Sequence, residues 1–487
     1  MSPRRALLAG ALATLLLGGC MVGPDYKKPS VPMTPAYKEA EGWKPANPSD
    51  HLPRGQWWTI FGDPDLDALA AEIEPANQNL KVAEARLRQA RALVRFNRAA
   101  LFPTISASAG ASSVRDSGNR PFLTPNASTI SGIGHGSSGD ILLGLDMSYE
   151  IDLWGRVRRT VASARREAEA TAADLETARL SLQAELTFDY FELRAADAQQ
   201  QLLNETVKAF EAALRLTTNR FEGGAAPKSD VAQAQTQLDT TLAQAIDVTV
   251  QRAQLEHAIA TLMGKPPAAF RLSPRPLDTR PPDIPVGLPS QLLERRPDIA
   301  AAERRVAEAN EQIGIAKAAY YPTVMLNASV GFEGSSFGNL VNASSLLWAV
   351  GASITQTIFD GGRRRATSDA ARASYDATVA AYRQTTLTAF QQVEDNLAAL
   401  RILEQEAQQQ RRAVESAQLS LQLFTNRYRG GVDNYLQVIT AQTVTLTNQR
   451  NEIDILRRRM DASVLLVKAL GGGWTAGPSA REGNETP

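Results

Sequence analysis

A single cysteine, Cys20, in a chain of 487 residues leaves no partner for an internal disulfide. The three histidines, His51, His135 and His257, are far apart, and none stands at metal-ligand spacing from another. There is no glycine-rich phosphate loop and no nucleophile elbow. Asp–Glu pairs fall only on helical segments, where a solvated face accounts for them. An enzyme is therefore not expected, nor a metal or other cofactor. Aromatic residues make up only 6% of the chain, few for one large compact core but suited to close-packed, Ala-rich helices. Net charge is absent too: 52 basic residues balance 52 acidic ones, which gives nucleic acid no electrostatic reason to bind. No uninterrupted apolar stretch reaches the about 18 residues of a transmembrane helix.

The N-terminus is the sharpest local signal. Arg4 and Arg5 precede the apolar run Ala6 to Leu17, and Leu17-Gly18-Gly19-Cys20 places small residues just before the cysteine. The run is too short for a permanent span. It resembles a bacterial lipoprotein signal, with residues 1–19 removed and Cys20 becoming a lipid-bearing N-terminus (diacylglycerol and palmitate). Loss of Arg4 and Arg5 leaves 50 basic against 52 acidic residues. Met21 follows, not the Asp associated with inner-membrane retention, so outer-membrane sorting is expected. A chain that crosses that membrane without a transmembrane helix must do so as strands of a closed barrel.

One unit is written twice. Leu145 to Gly155 aligns with Ala352 to Gly362 at an offset of 207 residues, which holds without a gap to Gly264 and Gly471. Thr218-Asn219-Arg220-Phe221-Glu222-Gly223-Gly224 thus matches Thr425-Asn426-Arg427-Tyr428-Arg429-Gly430-Gly431. Upstream, Ala99 to Thr104 matches Ala318 to Thr323 at an offset of 219, so the first copy has the longer intervening loop. Each copy reads helix, strand, loop, strand, very long helix, tight turn, helix. Residues 156–222 and 363–429 each run 67 residues without Gly or Pro. At 1.5 Å per residue such a helix is about 100 Å long. Leu203, Val207, Phe210, Leu214, Thr217 and Phe221 alternate steps of four and three, and Val414, Ala417, Leu421, Phe424 and Tyr428 occupy matching places in the second copy. That stride predicts a coiled coil or helical barrel. The glycine pairs Gly223-Gly224 and Gly430-Gly431 are expected to cap the long helices, with return helices over 228–263 and 435–470.

Alternation predicts two strands per copy, near 104–113 and 141–151, then 323–332 and 347–358. In 323–332, Val324, Leu326, Ala328, Val330 and Phe332 face one way, and Thr323, Met325, Asn327, Ser329 and Gly331 the other. Four strands cannot close a membrane barrel, so the chain must oligomerise if these strands span a membrane. The expected organisation is a signal peptide (1–19), an anchor and extended segment (20–65), a first repeat (66–264), a linker (265–297) with nine prolines, a second repeat (298–471) and a loose tail (472–487).

Several blocks carry a specific resemblance. They are Met21-Val22-Gly23-Pro24-Asp25-Tyr26, Trp57 to Pro64, Glu150 to Arg156, Leu288-Pro289-Ser290 with Arg295 to Ile299, and Arg427-Tyr428 through Leu436. In this order, on a duplicated frame covering the mature chain, they resemble the TolC-like outer-membrane factors of the OprM/NodT lipoprotein type. The resemblance implies an α+β membrane channel. Its homotrimer combines a 12-stranded outer-membrane β-barrel, four strands per chain, with a continuous 12-helix periplasmic α-barrel. It also implies a passive efflux conduit for drugs or other small molecules, linked to antibiotic resistance. The partners would be a periplasmic adaptor and an inner-membrane pump of the resistance-nodulation-division (RND) type. Gly223, Gly224, Gly430 and Gly431 would form the adaptor-docking tips, and Leu436 matches the family's apolar gate. The aspartate of OprM-type chains one turn on falls at Thr440, so the acid would have to come from Asp433 or Asp230. Arg427 and Tyr428 would tether the coils in a closed state. The alternatives are the outer channel of a one-step protein secretion system and a periplasmic lipoprotein scaffold, which would have no use for amphipathic strands.

Overall fold

The computed structural model describes residues 21–31, 34–39, 56–115, 138–282, 284 and 296–472. The signal, Cys20, His51, His135, Leu288-Pro289-Ser290, Arg295 and all but the first residue of the tail lie outside them. The helices are α1 (Pro64–Ala76), α2 (Gln78–Ala99), α3 (Arg156–Glu222), α4 (Lys228–Leu262), α5 (Pro297–Ala318), α6 (Arg363–Arg429) and α7 (Tyr435–Ala469). The strands are β1 (Thr104–Val114), β2 (Ser138–Ile151), β3 (Thr323–Gly334) and β4 (Leu346–Thr355). A short 3-10 helix, Trp57–Phe61, precedes α1. No described helix is long and apolar enough to cross a membrane.

α3 and α6 coincide with the two 67-residue runs free of Gly and Pro, because nothing within them interrupts the backbone hydrogen-bond ladder. Their ends are glycine-encoded. The amide of Ala225 donates to the carbonyl of Arg220 (2.7 Å) and that of Gly224 to Phe221 (2.9 Å). Val432 to Arg427 (2.9 Å) and Gly431 to Tyr428 (3.0 Å) repeat the pattern. This is the Schellman motif, which needs one residue at positive φ. Only the second glycine of each pair supplies it: Gly224 at φ +74° and Gly431 at +76°.

The compact units cut across the duplication. One comprises Met1–Pro29, Arg88–Glu169 and Glu303–Ala380; the other comprises Ser30–Leu87, Ala170–Ala302 and Ala381–Pro487. Neither equals a sequence repeat. The reason is β-pairing: strands of both copies join one antiparallel sheet in the order β1-β2-β3-β4, and the central β2–β3 ladder links copy to copy.

In the first unit, the sheet register places Ala107, Leu145, Val330 and Trp348 in one row and Ser106, Asp146, Ser329 and Ala349 in the next. Strand ends differ from the alternation pattern by a few residues. β4 stops at Thr355 because its last partner is Thr323, and Pro322 before it has no amide to extend the ladder. β2 starts earlier, at Ser138, because polar residues continue the ladder to Val114, where apolar alternation gives no signal. The segment after Cys20 is clasped onto this unit. The amide of Val22 donates to the Trp154 carbonyl (3.1 Å), and buried Arg159 donates to the Val22 carbonyl (2.8 Å) while pairing with Glu311 (2.7 Å).

In the second unit, Trp57, Phe61, Leu66 and Ile73 pack with Tyr190, Phe191, Ile259, Val393, Leu397 and Val464 in one core. Asp63 caps α1 through the amides of Asp65 (3.0 Å) and Leu66 (3.4 Å), accepts the Tyr190 hydroxyl (2.8 Å) and pairs with Arg275 of the linker. The linker segment described beyond α4 is irregular apart from a 3-10 turn, Pro267–Ala269, as its prolines require.

Candidate functional site

Two features have the geometry of a channel. The first is the sheet. Its polar row centres on Asp146, whose carboxylate accepts the Ser108 hydroxyl at 3.3 Å. Its apolar row is left uncovered: Leu145, Val330 and Trp348 are 50%, 47% and 71% exposed. Row neighbours Leu143 and Val350 are exposed as well. Among the described residues the edge strands β1 and β4 each have one partner, so both outer edges present backbone groups that no described strand pairs. A two-sided sheet with an exposed apolar face and two open edges is unfavourable in water. Lipid on one face, water on the other and edge-to-edge closure with further copies satisfy all of these groups.

The second feature is the pair of helical hairpins, α3–α4 and α6–α7. The apolar stride of α3 faces inward: Leu203, Val207, Phe210 and Thr217 are buried, with Leu214 packed beside them. Phe221, the last position of the stride, is exposed. At the tip Tyr428 and Tyr435 pack at a 5.2 Å centroid distance within a cluster that includes Ala234 and Val438. Burial, then the neighbouring Tyr428 and Asp230, push the Tyr435 hydroxyl up to about 12, against a hydrogen bond to Thr217.

The expected gate residues fall around this cluster. Arg427 makes a two-pronged pair with Asp433 in its own hairpin turn (2.7 and 3.1 Å). Asp230 lies in the first turn of α4. Leu436, the second residue of α7, is 53% exposed, and the Thr440 hydroxyl donates to its carbonyl (2.9 Å). Gly223, Gly224, Gly430 and Gly431 form the two turns. Like the Tyr435–Thr217 hydrogen bond, Arg220 links the two hairpins at the tip. Its guanidinium donates to the Tyr428 carbonyl (2.6 Å) and lies over the Tyr428 ring at 4.6 Å.

Sequence reasoning missed Arg220 and Tyr435. The signal for Arg220 was available, since the 207-residue offset equates it with Arg427. The same offset equates Asp433 with Ala226, so Arg220 has no acid in its own turn and its charge is left to reach the other hairpin. No pattern identifies Tyr435, because its first-copy equivalent is Lys228.

The model of the outer membrane efflux protein family matches residues 69–265 and 288–472, well over half of the chain. The chain is 33% identical over 472 residues to the antibiotic efflux pump outer membrane protein ArpC of Pseudomonas putida, covering 96% of each. It is 33% identical over 475 residues to the outer membrane protein OprJ of Pseudomonas aeruginosa, covering 97% of each. The solved outer-membrane channel OprN superimposes with a TM-score of 0.84 at 32% identity, over 93% of this chain and 100% of that one. The fold is therefore that of the trimeric TolC-type channels, four strands and two internal repeats per chain, and efflux replaces the secretion alternative. Duplicated frame, amphipathic sheet and hairpin tips agree with these matches, and the chain belongs to the outer membrane efflux protein family.

Proposed function

We propose that this chain is the exit duct of an RND-type efflux pump, with a periplasmic adaptor seated on the turns at Gly223-Gly224 and Gly430-Gly431. Relatives named for toluene and antibiotic efflux support small organic molecules as cargo. The observation that carries the reading is the tip. Arg220 holds the two hairpins of one chain together through Tyr428, while Leu436 stays exposed beside them. In a trimer Leu436 occurs three times and makes an apolar constriction. With Thr440 in place of an acid, the acids near the constriction are Asp433, which pairs with Arg427, and Asp230. Opening then means parting the hairpins, with the adaptor supplying the contacts that compensate for Arg220 and Tyr428. Cys20 carries the lipid anchor, which acyl-mass analysis of the N-terminal peptide tests directly.

Photo-crosslinking in the native host tests the partner assignment. Gly223 and Gly430 are suitable sites because both lie outside the positive-φ region and a Cβ there meets only ordinary contacts. Capture of an RND adaptor is expected. Capture of an adaptor serving an ABC exporter would move the chain to a different pump class, and capture of none would remove the docking reading.

A further inference from the structure

A cleft of about 630 Å³ opens in the first unit beside the ends of the membrane strands. Val22 and Gly23 of the clasped N-terminal segment form one wall. Lys317 from the last turn of α5 and Arg365 and Arg372 from the first turns of α6 supply three cations, against one acid, Asp369. Asp369 lies 3.9 Å from Arg365, and both side chains are largely exposed, so that pair is weak. Among the described residues neither Lys317 nor Arg372 has an ion-pair partner. Ser368, 6% exposed, reaches the same cleft from the buried side of α6.

The aromatic residues at this level fix its depth. Tyr320 and Tyr321 line the cleft and stand just before β3. Tyr321 stacks on Trp154 (4.7 Å), whose indole donates to the Pro322 carbonyl (2.8 Å), and the Arg364 guanidinium lies over Tyr320 at 5.5 Å. Trp and Tyr with one apolar and one wet side sit at headgroup level. Three cations, two of them unpaired, beside an interfacial aromatic belt are the chemistry that recognises a phosphate diester at a membrane surface.

We propose that this cleft holds the headgroup of an anionic phospholipid of the phosphatidylglycerol class, in the leaflet where the strands meet the helices. The excess of cations over Asp369 favours a net anionic headgroup over a zwitterionic one. The inference rests on the membrane placement of the strands and not on the pump reading, so failure of the adaptor experiment leaves it intact.

Native mass spectrometry of the full-length trimer, with added phosphatidylglycerol, phosphatidylethanolamine or inorganic phosphate, tests it. Phosphatidylglycerol should be retained in preference to phosphatidylethanolamine. Each cation removed should weaken it about fivefold, so the K317Q/R365Q/R372Q variant should bind roughly a hundredfold more weakly. A heat-resistant trimer on gels confirms that the variant is assembled, and R372Q alone, at an exposed position, provides the single-step comparison if it is not. Equal retention of the two lipids, or unchanged binding in R372Q and the triple variant, would overturn the proposal. Phosphate binding without phosphatidylglycerol binding would make the cleft a free-anion site and also overturn the lipid assignment.

Discussion

Tyr428 and Asp461 are buried polar groups whose conservative substitutions are expected to stabilise, Tyr428 at any pH and Asp461 only as pH rises. The Tyr428 ring carries Arg220, but among the described residues its hydroxyl is buried without a partner. An unmade hydrogen bond at a buried site costs about 1–3 kcal/mol. Y428F is therefore expected to raise the melting temperature of the trimer or leave it unchanged, whereas Y428A removes the ring and lowers it. Thermal melts of the two variants check this. Asp461 is 8% exposed and shares Arg457 with Asp454 and Glu192. Burial raises its carboxyl to about 7 in spite of the Arg457 attraction, with Glu192 and Asp454 adding to the rise. The folded state thus binds a proton that the unfolded chain releases near pH 4. The contribution of this group to stability falls as pH rises from about 4 to about 7 and is level above. D461N should be isostable with the parent near pH 4 and more stable at pH 8, read as a gap in melting temperature that opens across this window. A gap independent of pH would refute the assignment. Of these burials only that of the Tyr428 ring was legible in the sequence. Tyr428 ends an apolar stride that predicts an inward face, but nothing in the stride says whether its hydroxyl finds a partner. Asp461 looks like any charge on a polar helix until α3 brings Glu192 to the same arginine.

At the scale of elements, the turns separate two glycines that the sequence presents as equals. Gly224 and Gly431 sit in the left-handed region, where a Cβ costs on the order of 1–2 kcal/mol. Gly223 and Gly430 do not, and a Cβ there meets backbone carbonyls at ordinary contact distance, Asn219 (3.4 Å) and Arg220 (3.8 Å) at Gly223, Asn426 (3.5 Å) and Arg427 (3.6 Å) at Gly430. G224A and G431A should each lower the melting temperature, while G223A and G430A should leave it nearly unchanged. Equal effects in all four would mean that the turns do not hold this geometry in the assembled protein. The helices on either side were readable because Gly and Pro punctuate them and the intervening 67 residues contain neither. The strands were readable because alternation is local. Their ends were not, since a strand stops where its partner stops, as β4 does opposite Thr323.

For the whole molecule, threefold repetition turns single residues into rings. Asp146 on the polar face of β2, hydrogen-bonded to Ser108, becomes three carboxylates around the barrel lumen. D146N should reduce cation selectivity, measured as a smaller reversal potential in a salt gradient across planar bilayers, with a trimer of unchanged heat resistance. An unchanged reversal potential would place the selectivity elsewhere, with the tip acids Asp433 and Asp230 next in line.

The sequence by itself determined the two copies, the extents of the long helices, the amphipathic strands, the capping glycines and the family, because each is written in neighbouring residues or in a constant offset. Only the tertiary structure decided that the compact units cut across the copies, that Arg220 reaches Tyr428 of the other hairpin, that Asp461 is buried and that Lys317 and Arg372 line one cleft with Val22. Those facts depend on residues tens to hundreds of positions apart arriving at one place, and the energies that select such meetings come from burial and pairing after the elements have packed.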